Sequence, residues 1–103
     1  MDTIRLDPKE VDLICKIFSQ FFLKNDKLWI FGSRVHSKAK GGDIDLYVET
    51  DYTTPEEIVN ARLKFLTALK IQLGDQKIDV VIKYGNYSLP IYEVAQKEGI
   101  RLR

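Results

Sequence analysis

The sequence predicts a single α/β (α+β) domain, a small mixed sheet flanked by helices in the order α-β-β-α-β-α. Three observations lead there. Two segments open with proline and capping residues and continue with apolar side chains at helical spacing. Three apolar runs are too short for helices and are bounded by glycine or polar residues, as strands are. A length of 103 residues leaves room for one domain, residues 1–103, and one modest core.

The first helix is expected from Asp7-Pro8-Lys9-Glu10, which offers an N-cap carboxylate, a proline where no helical N–H is needed and a glutamate at the third helical position. Val11, Ile14, Cys15, Phe18, Phe21 and Phe22 then share one face, which makes Cys15 a small core residue rather than a reactive thiol. Lys24 to Lys27 reads as a turn. Leu28-Trp29-Ile30-Phe31 is a continuous apolar run ending at Gly32 and reads as a buried strand. Residues 34–42 are polar, contain Gly41-Gly42 and make a loop. Asp43 to Glu49 alternates strictly and reads as the second strand.

Thr54-Pro55-Glu56-Glu57 is a second capping box. The helix it opens turns Ile58, Ala61, Phe65, Leu66, Leu69 and Leu73 toward a core and stops at Gly74. Ile78-Asp79-Val80-Val81-Ile82 is the third strand, closed by Gly85-Asn86. Leu89 to Glu98 has a weaker helical pattern before Gly99.

Composition excludes several classes of function. A net charge of +1 is not the strongly basic balance of a nucleic-acid-binding domain. No apolar run approaches the ~20 residues that span a bilayer, and Met1 to Arg5 lacks the regions of a signal peptide. The single Cys15 has no internal disulfide partner. The expected location is therefore cytoplasmic.

The chemistry lies in the acids. Side chains two apart on a strand point to one face, roughly 6.5–7 Å apart. Asp43 and Asp45 project together, while Ile44, Leu46 and Val48 face the core. Asp79 interrupts an otherwise apolar strand. If that strand pairs with the second, its carboxylate comes to roughly 5 Å from another. Two unit charges at ~4 Å repel by ~4 kcal/mol at an effective dielectric of 20, so three such acids point to a divalent cation. Hard oxygen ligands suit Mg²⁺ or Mn²⁺ shared with substrate phosphates. Any one of the acids alone would read as a solvated strand-end carboxylate.

Gly32-Ser33 supplies the complementary half. A glycine directly after a buried strand lets a phosphate approach the backbone, and Ser33 can donate a hydroxyl. Arg34 can add a bidentate phosphate contact. As an isolated dipeptide, Gly-Ser would be a plain turn.

Gly-Ser, nine intervening residues, Asp-x-Asp on a strand and an Asp on a later strand together resemble the DNA polymerase beta-like nucleotidyltransferase superfamily. The likeness is strongest to its minimal branch, the MNT proteins that act as antitoxins of HEPN toxins. It is carried by Leu28 to Val35 and by Gly41-Gly42-Asp43-Ile44-Asp45-Leu46, and it spans about Asp7 to Ile82. Many relatives have ten residues rather than nine between the serine and the first aspartate. Larger members add a second domain that holds base and acceptor.

The resemblance implies a Mg²⁺-dependent nucleotidyltransferase that moves a nucleoside monophosphate, AMP from ATP or another NTP, to a hydroxyl. The acceptor would be a tyrosine of a HEPN ribonuclease toxin, with which the chain would form a hetero-oligomer. Asp43, Asp45 and Asp79 would hold two metal ions, and Asp79 would help deprotonate the incoming hydroxyl. Gly32, Ser33 and Arg34 would bind the triphosphate. A non-catalytic antitoxin that neutralises its partner by complex formation is the alternative. Transfer to a small molecule is disfavoured by the missing acceptor domain.

Other residues stay open. His36, Lys38 and Lys40 either approach the triphosphate or are simply solvated. Tyr47 either lines the nucleotide pocket or packs at the strand end. The apolar stretch Tyr84, Tyr87, Leu89, Ile91, Tyr92 and Val94 either covers the sheet or forms a protein interface, where tyrosines are enriched.

Overall fold

Alternation along residues 44–49 sets the layers of the molecule. The computed structural model describes residues 8–32, 44–74, 76–85 and 89–103. Its elements run α1 (Pro8–Phe21), β1 (Lys27–Phe31), β2 (Ile44–Glu49), α2 (Pro55–Leu73), β3 (Ile78–Lys83), α3 (Pro90–Glu98) and β4 (Ile100–Arg101). Ile44, Leu46 and Val48 of β2 join Leu28 and Ile30 of β1 and Ile78, Val80 and Ile82 of β3 on one face of the sheet. Against that face pack Ile14, Ile17 and Phe18 of α1 and Ile58, Ala61, Phe65 and Leu69 of α2. Each large side chain buried here contributes about 1.5–3 kcal/mol relative to exposure. The aromatic centre of this core is Phe65, whose ring meets Phe18 and Phe22 edge-on at 5.7 and 5.4 Å.

The sheet has the order β3-β2-β1-β4. β1 and β2 are antiparallel, with Phe31 opposite Asp45. β2 and β3 are parallel, and α2 is the crossover that a parallel pair requires. The sheet is therefore mixed, as the element pattern predicts.

The boundaries of α2 follow the predicted caps, while Asp7, the N-cap expected for α1, lies outside the described residues. The Thr54 hydroxyl oxygen accepts from the Glu57 N–H at 3.2 Å and donates to the Glu57 carboxylate at 2.8 Å. The glutamate thus takes the cap hydroxyl, not the backbone N–H of the usual capping box. At the other end Gly74 adopts φ 82° and its N–H returns to Lys70 O. α3 starts at Pro90 without a side-chain cap and ends at Gly99.

The last strand is a structural finding beyond the predicted order. Ile100 and Arg101 pair antiparallel with Ile30 and Trp29, and Leu28 exchanges backbone hydrogen bonds with Leu102 and Arg103. The chain end thereby covers the free edge of β1. Cys15 is half-buried beneath it, its thiol directed at Leu102 O at 3.7 Å. Burial pushes the thiol pKa up against the opposing pull of Arg103, in keeping with a packing role.

The turn before β1 is also more than a turn. Asp26 is buried, and its carboxylate accepts from Leu23 N at 2.9 Å, Thr50 Oγ at 2.7 Å and Asp51 N at 2.8 Å. It ties the end of α1 to the exit of β2.

Candidate active site

The second face of the sheet carries the candidate chemistry. From β2 it presents Asp45, Tyr47 and Glu49, and from β3 Asp79, Val81 and Lys83. In the parallel ladder Asp45 is the Cα partner of Asp79. Neighbouring strands lie about 4.8 Å apart, so the two carboxylates rise side by side from one face. Asp45 is half-buried and Asp79 exposed. The condition set by the sequence, that the Asp79 strand pair with the second strand, is met, with Asp79 in register with Asp45.

Gly32 closes the arrangement from the other side. Phe31 ends β1 opposite Asp45, and Gly32 follows it at φ 80°. A Cβ built on Gly32 would overlap the Asp45 carboxylate and lie 3.3 Å from the Asp45 Cβ. The glycine is needed here twice, for its left-handed backbone and for the space its missing side chain leaves. Its backbone is accordingly pressed against the acid whose ladder partner on β3 is Asp79.

The remaining predicted site residues, Asp43, Ser33 and Arg34, lie outside the described residues, as do His36, Lys38 and Lys40. Among the described residues no three His, Cys, Asp or Glu side chains gather into a metal-holding group. Asp45 and Asp79 supply two carboxylates on adjacent strands. A divalent cation fits the chemistry of that pair, since carboxylate oxygens on adjacent strands are the hard donors it prefers.

Tyr47 takes the packing option. It is fully buried under α3, with ring centroids 5.2 Å from Trp29 and 5.7 Å from Tyr92. Its hydroxyl donates to Glu49 at 2.8 Å, and Gln96 of α3 donates to the same carboxylate oxygen. Burial, then the Glu49 hydrogen bond and its charge, pushes the Tyr47 pKa well above the ordinary tyrosine value. Phe31, Tyr47, Tyr92 and Ala95 form a second small core that seats α3. Tyr92 secures it by donating to Ile82 O at 3.2 Å, while Leu89, Ile91 and Val94 stay exposed.

These supports escaped sequence reading. Gly99 lies so close to β1 that a Cβ would come within 2.9 Å of Ile30 O. Its signal was available: a glycine followed by the alternating Ile100-Arg101-Leu102 is a strand start.

A sequence description of the nucleotidyltransferase domain matches residues 11–102, nearly the whole chain, including Gly32, Asp45 and Asp79. The chain belongs to the nucleotidyltransferase-domain family. The match begins inside α1 and ends beyond β4, so the C-terminal strand is part of the domain. No curated protein sequence matches the chain. Among solved structures, the fold is similar to a chain in the crystal structure of a mutant of the toxin-antitoxin MntA-HpeT. The TM-score is 0.72 at 20% identity, covering 90% of this chain and 72% of that one. A small α+β nucleotidyltransferase fold is thus shown by sequence family and by architecture.

Proposed function

We propose that this nucleotidyltransferase domain is a Mg²⁺-dependent enzyme that transfers AMP from ATP to a tyrosine hydroxyl of a HEPN ribonuclease toxin, and so acts as an antitoxin. The observation that carries the reading is the registered pair Asp45–Asp79, packed against Gly32, in a chain of this family. The structural neighbour supports the toxin–antitoxin setting. That complex is described as a mutant in which two aspartates two positions apart are glutamates, the spacing of Asp43 and Asp45 here.

In this reading Asp43, Asp45 and Asp79 hold the metal. When bound, Mg²⁺ would neutralise the triphosphate and stabilise charge on the attacking and leaving oxygens. Gly32, whose side-chain space the Asp45 carboxylate occupies, would meet the β- and γ-phosphates through its backbone N–H, and Ser33 and Arg34 would donate hydrogen bonds to them. Asp79, exposed beside Asp45, takes the proton of the incoming hydroxyl. The hydroxyl oxygen bonds to the α-phosphorus, the α–β phosphoanhydride bond breaks, and pyrophosphate departs. The location that fits this role is the cytoplasm, and no helix among the described residues is long and apolar enough to cross a membrane.

The test is incubation with each α-labelled NTP, Mg²⁺ and the partner protein. Label should appear on the partner with ATP and should be lost with Asp45→Asn. Equal labelling by wild type and Asp45→Asn, or none by either, would overturn the enzymatic reading. A second reading, neutralisation by binding alone, is favoured by exposed apolar side chains on α2 and α3. It requires the Asp45→Asn protein to protect against the toxin as well as wild type does.

A further inference from the structure

The outer side of α2 is the least expected surface of the molecule. Val59, Leu63 and Ile71 are 62%, 57% and 74% exposed. With Thr67 they recur every four residues, on the side of α2 opposite the buried Ile58, Ala61, Phe65 and Leu69. A helix packed on one side only should be polar on the other. Single exposed apolar residues are ordinary, but a continuous stripe marks an interaction site. At 1.5 Å per residue the stripe runs for about 18 Å, or some three turns of a facing helix.

The stripe borders shallow grooves between α1 and α2 that meet at Ala68 and Ile71. The charged side chains lining these two grooves are both lysines, Lys16 on α1 and Lys64 on α2. Carboxylates lie beyond these linings: Glu56 and Glu57 in the first turn of α2, the latter engaged by the Thr54 hydroxyl, and Asp12 one turn before Lys16 on α1. The floor is apolar and the banks are cationic, a surface that accepts an amphipathic helix through its apolar side.

We infer that the α1–α2 groove is a docking site for an amphipathic helix of another protein whose apolar stripe is flanked by acidic residues. Charge selects this occupant. Two copies of the chain brought together here would place Lys16 and Lys64 of each near those of the other, whereas acidic flanks pair with them and guide the encounter. The site lies on the sheet face opposite Asp45 and Asp79, so a partner held here leaves the candidate active site open.

The experiment uses the ¹⁵N-labelled full chain and two synthetic helical peptides with one shared leucine stripe, flanked by glutamates in one and lysines in the other. The glutamate peptide should bind roughly tenfold or more tightly at low salt, weaken as salt rises, and shift the amide signals around Lys16, Ala68 and Ile71. The K16E/K64E double variant should prefer the lysine peptide. The L63S/I71S variant should lose binding while keeping its melting temperature, because both side chains are exposed. Asp45→Asn should bind like wild type, which separates this site from the catalytic one. Equal binding of both peptides, binding of neither, or a dimer of the chain that L63S/I71S dissolves would overturn the proposal.

Discussion

Gly32 leaves a gap of one missing side chain, and the carboxylate of Asp45 fills it. The end of β1 and the start of β2 are thus fitted to each other at the point where Phe31 and Asp45 pair. Any Cβ at position 32 must displace the acid, and it must do so from a backbone at φ 80° that L-residues avoid.

Gly32→Ala should therefore damage stability and site together. The left-handed backbone costs an alanine about 1–2 kcal/mol. In a domain of this size each kcal/mol lowers the melting temperature by roughly 4–8 °C. Nucleotide transfer should fall much further than the residual folded fraction explains, since the displaced group is Asp45. Thermal melts beside transfer assays at a temperature where the variant is folded check this. Full activity in a folded Gly32→Ala protein would show that the Asp45 position is unimportant.

The Asp45–Asp79 pair should make the protein respond to Mg²⁺ in a way the single acids do not. Side-by-side carboxylates on neighbouring strands oppose folding, and a cation bound between them stabilises the folded state by mass action. Wild type should melt at a higher temperature as Mg²⁺ is added, with K⁺ at matched ionic strength as control. Asp79→Asn should be at least as stable as wild type without Mg²⁺ and should gain much less from it. Identical Mg²⁺ responses in the two proteins would remove the metal from this pair.

How far the sequence reaches is clear from these same residues. Asp79 was legible because an acid inside Ile78-Val80-Val81-Ile82 contradicts burial and so needs a reason. The face of Asp45 was legible because strict alternation in β2 leaves it only one, but its register with Asp79 came from the fold. The layering followed from Ile44, Leu46 and Val48 by the same logic. What sequence could not deliver depends on contacts between distant segments. Gly99 looks like a simple helix stop until Ile30 and Phe31 are seen packed against it. Asp26 looks like a turn residue until Thr50 and Asp51, two strands later, are found donating to it. Tyr47 had two readings of equal standing, and Tyr92 of α3, more than forty residues away in the chain, decides between them.

Tyr47 and Tyr92 should give the fold an alkaline limit. Burial raises both pKa values, and Glu49 raises that of Tyr47 further. Unfolded tyrosines ionise near the ordinary value of about 10, whereas the folded protein holds the protons more tightly. Above that pH the unfolded state binds fewer protons, so stability falls as pH rises. The contribution is complete below about pH 10 and is lost progressively above it. Urea melts between pH 8 and 11.5 should show the decline, and Tyr47→Phe should flatten it. A pH dependence unchanged by Tyr47→Phe would place the alkaline limit elsewhere.

Asp26 should be worth more to the fold than either acid of the candidate active site. Its carboxylate is 5% exposed and receives three donors, two of them backbone N–H groups. Hydrogen bonds to a charged acceptor contribute more than neutral ones, and losing a buried acceptor leaves its donors unsatisfied. Asp26→Ala orphans Leu23 N and Asp51 N together, and it detaches the end of α1 from the exit of β2. The expected loss is about 2–4 kcal/mol. Asp26→Asn should lose part of this, because its amide keeps one acceptor oxygen but turns an N–H toward a donor. Denaturant unfolding of the two variants beside Asp79→Asn provides the ranking, with Asp26→Ala lowest and Asp79→Asn near wild type. The opposite order, with Asp79→Asn the more damaging to stability, would mean that the site acids hold the fold together and the Asp26 clamp does not.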